Sequence, residues 1–199
     1  MSTVRILDYG VGNIHSLKKA LERSGLEVEL TPCDEGPGDA DGIVLPGVGA
    51  WTPAAKALEP ARTSILDAVD DGLPLLGVCL GMQLLARTSP EGQGEGLGIL
   101  DAACHRLQAP RIPHIGWNDV QGPTQGPLTA LDARNVYYVH SYALAPDAPG
   151  VTSTTTYGET FAATVERENV IATQFHPEKS SHAGRIVMDA YADLVEGRA

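Results

Sequence analysis

Apolar residues fall along the first half of this chain in two alternating rhythms. Val4 to Asp8, Glu27 to Leu30, Gly42 to Leu45 and Leu73 to Val78 are short runs with strand character. Between them, apolar residues recur at helical spacing. Ile14, Leu17 and Leu21 form one such face, with Asn13 placed to cap it and Gly25 placed to stop it. Thr31 to Asp41 is rich in Pro, Gly and Asp and reads as a loop. Thr52-Pro53 suits a helix entry, because proline fits the first helical turn. Ile65 to Val69 carries a further helical pattern closed by Gly72, and Met82 to Ala86 reads as helical after the run at Leu73 to Val78. That run is almost uninterrupted, as expected of a central parallel strand covered on both faces.

The second half changes texture. Leu97 to Leu100, Val136 to His140, Thr152 to Tyr157, Phe161 to Val165 and Val170 to Gln174 are β-type runs separated by turn residues. Some antiparallel pairing is expected there. Ser181 to Glu196 carries a closing helical stripe of Ile186, Val187, Tyr191 and Leu194. The expected fold is α/β in three layers: a mostly parallel central sheet, helices on both faces, and antiparallel strands in the second half. No linker, repeat or low-complexity tract divides the 199 residues, so a single domain over 1–199 is expected.

Composition narrows the function. With 25 acidic and 14 basic residues, the net charge of −11 argues against nucleic acid or an anionic membrane as partner. No apolar span is long enough for a transmembrane helix, and the apolar part of the N-terminus is too short for a signal peptide. Cys33, Cys79 and Cys104 are an odd, widely spaced set, which fits a reducing cytoplasm better than a disulfide framework. Cys104-His105 stands alone without a CxxC pair, so no metal site is expected.

Gly77-Val78-Cys79-Leu80-Gly81 places a cysteine at an expected strand-to-helix junction, with glycine two residues away on each side. A sharp turn there would push the thiol out of the sheet, as in a nucleophile elbow. The glycines would let neighbouring backbone approach. The helix N-terminus favours thiolate, and its N–H groups can hold an oxyanion. A structural cysteine in an apolar strand would carry the same pattern.

A cysteine nucleophile needs a base, and the base needs an orienting group. Among six histidines, His176 sits just beyond the strand ending at Gln174, in His176-Pro177-Glu178. Sites in open α/β sheets gather at the C-terminal ends of strands, so His176 and Cys79 could meet on one edge. Glu178 could accept a hydrogen bond from the imidazole. His140 also ends a strand-like run, but Ser141-Tyr142 offers it no adjacent carboxylate.

Gly77-Val78-Cys79-Leu80-Gly81-Met82-Gln83, taken with Gln174-Phe175-His176-Pro177-Glu178-Lys179-Ser180, resembles the class I (triad) glutamine amidotransferases. Four further segments narrow the resemblance to the branch that serves histidine biosynthesis: Asp8 to Asn13, Leu45 to Ala50, Pro113 to Asn118 and Tyr137 to Tyr142. The resemblance implies a cytoplasmic enzyme without cofactors that hydrolyses L-glutamine. It implies a heterodimer in which ammonia passes to a (β/α)8-barrel cyclase subunit. It assigns Cys79 as nucleophile, His176 as proton carrier and Glu178 as its orienter. Gly47, Val48, Gly49, Leu80 and Gln83 would form the substrate and oxyanion site. Asn13, Trp117, Asn118, Tyr138 and Lys179 would lie toward the partner and the ammonia passage. A glutaminase of another synthase, a stand-alone cysteine hydrolase and an idle binding module are the alternatives.

Overall fold

The computed structural model describes residues 2–10, 14–122 and 126–198. Asn13, expected as a helix cap and a docking residue, lies outside the described residues. The first half alternates as expected: β1 (Thr3–Asp8), α1 (Ile14–Arg23), β2 (Glu27–Pro32), β3 (Gly42–Leu45), α2 (Trp51–Leu58), α3 (Arg62–Asp70), β4 (Leu75–Val78) and α4 (Leu80–Gln83). The second half contributes β5 (Cys104–Arg106), β6 (His114–Asp119), β7 (Asn135–His140), β8 (Tyr142–Leu144), β9 (Val151–Tyr157), β10 (Glu159–Arg167), β11 (Val170–Thr173) and α5 (Ser181–Val195).

Seven strands form one sheet in the order β2-β1-β3-β4-β11-β10-β9. The five from β2 to β11 are mutually parallel, β10 pairs antiparallel with β11, and β9 pairs antiparallel with β10 at the edge. Alternate residues of each central strand enter opposite cores. Val4, Ile6, Val44, Leu76 and Val78 pack with Leu17 and Leu21 of α1 and with Val187 and Tyr191 of α5. Leu7, Ile43, Leu45 and Leu75 pack with α2 and α3 through Ala54, Leu58, Ile65 and Val69. A one-residue slip would exchange the two faces, so burial on both sides fixes the register. The tyrosine of α5 adds a direct tie, with Tyr191 Oη donating to Ile43 O at 2.9 Å.

Two expectations need correction. Leu97 to Leu100 is not a strand. Leu97 and Leu100 are buried, but their N–H groups donate to Leu84 O and Leu85 O, in the turn beyond α4. The neighbouring Gly98 is left-handed at φ +74°, which interrupts extended backbone. The helix expected over Met82 to Ala86 begins earlier and is one turn long, because the chain turns at Leu84 to follow that same segment. β5, β6 and β8 were not expected as strands. They form two antiparallel pairs apart from the main sheet, β5–β8 and β6–β7.

Candidate active site

Three neighbouring parallel strands, β3, β4 and β11, end on the same edge of the sheet, and each delivers one part of the site. β4 leads into Cys79, whose backbone is left-handed at φ +47°. Such a conformation is strained for a non-glycine residue and persists only where its surroundings enforce it. Here the Cys79 N–H donates to Thr173 O of β11 at 2.7 Å, and the Cys79 carbonyl accepts from Gln83 N at 3.0 Å. The flanking glycines are required by contact. A Cβ on Gly81 would lie 2.1 Å from Leu45 O, and one on Gly77 would lie 3.0 Å from Gly81 O. Thus β3 and α4 can pack this closely only if position 81 lacks a side chain, and a side chain at 77 would crowd the α4 backbone.

β11 runs on through Gln174 and Phe175 to His176. The main chain of His176 is fixed to β7, since its N–H donates to Tyr137 O at 2.9 Å. Ser180 Oγ donates to His176 O at 2.7 Å and accepts from Tyr137 N at 2.9 Å. His176 Nδ1 lies 2.9 Å from Glu178 Oε1, with both side chains buried. That bond commits Nδ1 as a donor and leaves Nε2 free to exchange a proton. Nε2 is buried and makes no hydrogen bond of ordinary geometry. Burial alone would push the imidazole pKa down. The charge of Cys79, the contact with its sulfur, and the hydrogen bond and charge of Glu178 outweigh that and raise it to about 10. His176 therefore favours its protonated form beside the Cys79 sulfur.

His140, the competing base, also lines the cavity but has no nitrogen to spare. Its Nδ1 donates to Tyr142 O at 3.0 Å, and its Nε2 accepts from His114 Nδ1 at 3.1 Å. Desolvation depresses the pKa of His140 to about 3 and that of His114 to about 4. Both rings are held neutral.

The loop after β3 supplies the third part. Gly47, Val48 and Gly49 join Cys79, Leu80, Gln83, Glu91, His140, Ser141, Tyr142 and His176 around a cavity of about 280 Å³. That lies near the small end of ligand sites and suits a single amino acid. Leu80 N, the donor next to Cys79, makes a long 3.5 Å contact with Gly47 O. A carbonyl oxygen thus faces the N–H group on which an oxyanion would depend. Tyr9 Oη holds the preceding peptide by donating to Pro46 O.

Glu91 was not anticipated, because it sits in an irregular loop without a motif. Its carboxylate accepts from Trp51 N at 3.2 Å, and burial raises its pKa. Trp51 Nε1 in turn donates to Gly94 O at 3.1 Å, which ties the same loop down. A partly desolvated carboxylate at the cavity wall suits a cationic group such as an α-ammonium.

Of the residues expected toward a partner, Trp117 is 54% exposed and Ile115 beside it 59%. Lys179 is exposed, with Nζ 5.6 Å from the Tyr137 ring centroid, and Tyr137 meets Trp117 edge to face at 5.9 Å. Asn118 is half-buried and donates to Thr156 O at 3.0 Å. Tyr138 does not reach the surface. It is fully buried, bonds Thr155 Oγ1 at 2.6 Å and stacks on His114. Alternation along β7 turns Tyr137 outward and Tyr138 into the core.

Residues 5–190 match the family model for class-I glutamine amidotransferases. The imidazole glycerol phosphate synthase subunit HisH of Moorella thermoacetica is 43% identical, covering 98% of this chain and 96% of that one. The same subunit from Halobacterium salinarum is 41% identical, covering 96% and 93%. Among solved structures, one described as a glutamine amidotransferase superposes with a TM-score of 0.76 at 21% identity, over 97% of this chain and 98% of that chain. PurLQS from Thermotoga maritima gives 0.75 at 20% identity, over 96% and 98%. The chain belongs to the class-I glutamine amidotransferases.

Proposed function

We propose that this class-I glutamine amidotransferase is the glutaminase subunit of imidazole glycerol phosphate synthase. The observation that carries the chemistry is the meeting of Cys79 with the His176–Glu178 pair at the ends of β4 and β11. Full-length identity to the HisH subunits supports the pathway.

In this reading the Cys79 thiolate attacks the glutamine carboxamide carbon. The carbonyl electrons move onto oxygen, which is held by Leu80 N–H and an N–H of the Gly47–Gly49 segment. His176 gives its Nε2 proton to the departing nitrogen, and ammonia leaves as the glutamyl thioester forms. Water then adds to the thioester while His176 takes its proton. Collapse of that adduct releases glutamate and restores thiolate and imidazolium. Glu178 holds the ring throughout. Gln83 and Glu91 shape the pocket, and Glu91 receives the α-ammonium.

Ammonia is mostly protonated near neutral pH and is then a poor nucleophile, so a direct, dry transfer suits the acceptor reaction. The acceptor is a (β/α)8-barrel cyclase subunit in a heterodimer, working in the cytoplasm. The exposed Ile115, Trp117 and Lys179 support docking on the face of β6 next to the site. No helix among the described residues is long and apolar enough to cross a membrane. The Leu80 N–H contact with Gly47 O supports a weak resting glutaminase, because that peptide must turn before an oxyanion can be held. Gly47 and Gly49 lower the barrier to such a turn.

The test is glutamate release by the chain alone, with the cyclase, and with cyclase plus acceptor ligand. Stimulation by the cyclase and loss of activity in Cys79→Ala are expected. Equal rates in all three mixtures would refute the partner-dependent reading.

A further inference from the structure

Gln174 opens the second of the two motif halves that form the site, one residue beyond β11, and is fully buried. Its main chain is fixed by Gln174 N donating to Ala163 O at 2.9 Å. Its side chain spans the space between Gln83 and the nucleophile. Oε1 lies 3.2 Å from Gln83 Nε2, and Nε2 lies 3.5 Å from Cys79 Sγ.

The direction of this amide follows from its neighbours. A backbone carbonyl can only accept, and Tyr142 O lies 2.7 Å from one end of the Gln83 amide. That end must be the amino group. Its second hydrogen then points at Gln174, so Gln174 must answer with its oxygen. The Gln174 amino group is thereby turned onto the sulfur. The opposite orientation would set two amino groups against each other. The far side of Tyr142 O is closed by His140 Nδ1, whose protonation is set in turn by the donor His114 Nδ1 on its Nε2. The depressed pKa values of both histidines agree with neutral rings in these tautomers. Gln174, Gln83, Cys79, His140 and His114 are all buried, and Tyr142 is half-buried.

We propose that Gln174 is a further catalytic residue, an amide donor locked onto the Cys79 sulfur by the Tyr142 carbonyl acting through Gln83. The proposal rests on Cys79 being the nucleophile. An N–H donor at the sulfur stabilises the thiolate and opposes the thiol form. It shares that task with His176, so the sulfur keeps a donor when the imidazolium turns its proton to the departing ammonia.

The experiment is alkylation of the full chain by iodoacetamide across pH, read by mass spectrometry at each cysteine. The thiolate displaces iodide, and the reagent's amide fits the pocket that takes the glutamine carboxamide. Cys33 and Cys104 serve as internal controls, because burial pushes both thiols up to about 12. In Gln174→Met, which keeps the side-chain length, the half-maximal pH for Cys79 should rise by about one unit. Alkylation below that midpoint should slow about tenfold, with an unchanged plateau at high pH. Gln174→Glu keeps the shape but sets a carboxyl against the sulfur, and should shift the midpoint at least as far. If Gln174→Met does not fold, this second variant decides. A folded variant of either kind with the wild-type midpoint would overturn the role of Gln174. Wild-type Cys79 reacting no faster than Cys33 and Cys104 at neutral pH would instead overturn the nucleophile itself.

Discussion

Gly184 lies in the first turn of α5, against the back of the His176-Pro177-Glu178 segment. A Cβ built on it would stand 1.8 Å from Pro177 O, 2.7 Å from Pro177 C and 3.1 Å from Pro177 Cα. The gap must open by about 1.5 Å before the contact becomes an ordinary van der Waals one. α5 cannot retreat freely. Tyr191 is bonded to the sheet, Ser24 Oγ bonds Asp189 at 2.7 Å, and Gly184 N bonds Ser180 O at 3.1 Å. Part of the displacement therefore falls on Pro177, whose two neighbours are the imidazole and the carboxylate that must stay 2.9 Å apart. A misplacement of about 1 Å in a reacting constellation costs about 100-fold in rate. Overpacking of this kind destabilises by about 1–3 kcal/mol. Gly184→Ala should thus remain folded at 25 °C, with a lowered melting temperature and a kcat for glutamate release down about 100-fold. Cys79 alkylation, which does not require His176 as an acid, should fall far less. A Gly184→Ala enzyme with kcat within threefold of wild type would show that the segment does not need this close approach.

Three other outcomes are expected. His140 and His114 are held neutral in the fold but take up protons near pH 6.5 when unfolded. Their contribution is therefore complete above pH 6.5 and is lost as the pH falls toward about 4 for His114 and about 3 for His140. For His140 alone the loss between pH 7 and pH 5 is about 2 kcal/mol. Urea denaturation at the two pH values should show it, and His140→Gln should flatten the slope. Cys79→Ala removes the upward contribution of the sulfur, so His176 should titrate well below the value of about 10 that it has beside Cys79. Carbon-detected NMR of labelled histidine would reveal this, and an unmoved midpoint would exclude the thiolate–imidazolium pair. Glu91→Gln should raise KM for glutamine about tenfold or more, with a smaller change in kcat, because the proposed charge-assisted contact to the α-ammonium would hold in both ground and transition states. A kcat loss with unchanged KM would move Glu91 out of the binding role.

The parts of the molecule that were legible in the sequence are those whose cause is local. β3 and β4 read as strands because a strand buried on both faces must be apolar at successive positions, and all eight of their residues are buried. Cys79 read as an elbow because the glycines at 77 and 81 are demanded by backbone only a few bonds or one strand away. His176 and Glu178 read as a pair because one proline separates them. β6 escaped notice since only His114 of its six residues is buried, and its single strand neighbour, β7, lies some twenty residues on. Leu97 to Leu100 misled for the opposite reason. Its leucines are buried, but their environment is the turn beyond α4, and a burial pattern alone does not say which backbone receives the N–H groups. Glu91 and the direction of the Gln174 amide depend on contacts across 40 and 95 positions of chain, where no short pattern carries the information. Gly47 and Gly49 mark a further kind of limit. Glycine permits either orientation of the intervening peptides, so those two residues encode the capacity to turn and leave the resting state to tertiary contacts. In the folded chain Leu80 N–H faces Gly47 O while Tyr9 holds Pro46. The peptide upstream of Gly47 is anchored by Tyr9 and the one downstream is held by the long Leu80 contact, so a change that frees Leu80 N–H can occur between Gly47 and Gly49 without moving β3 or the elbow of Cys79. On the proposed roles, Cys79, His176 and Glu178 are already in place and the site lacks only its oxyanion donors, which docking near that segment would complete.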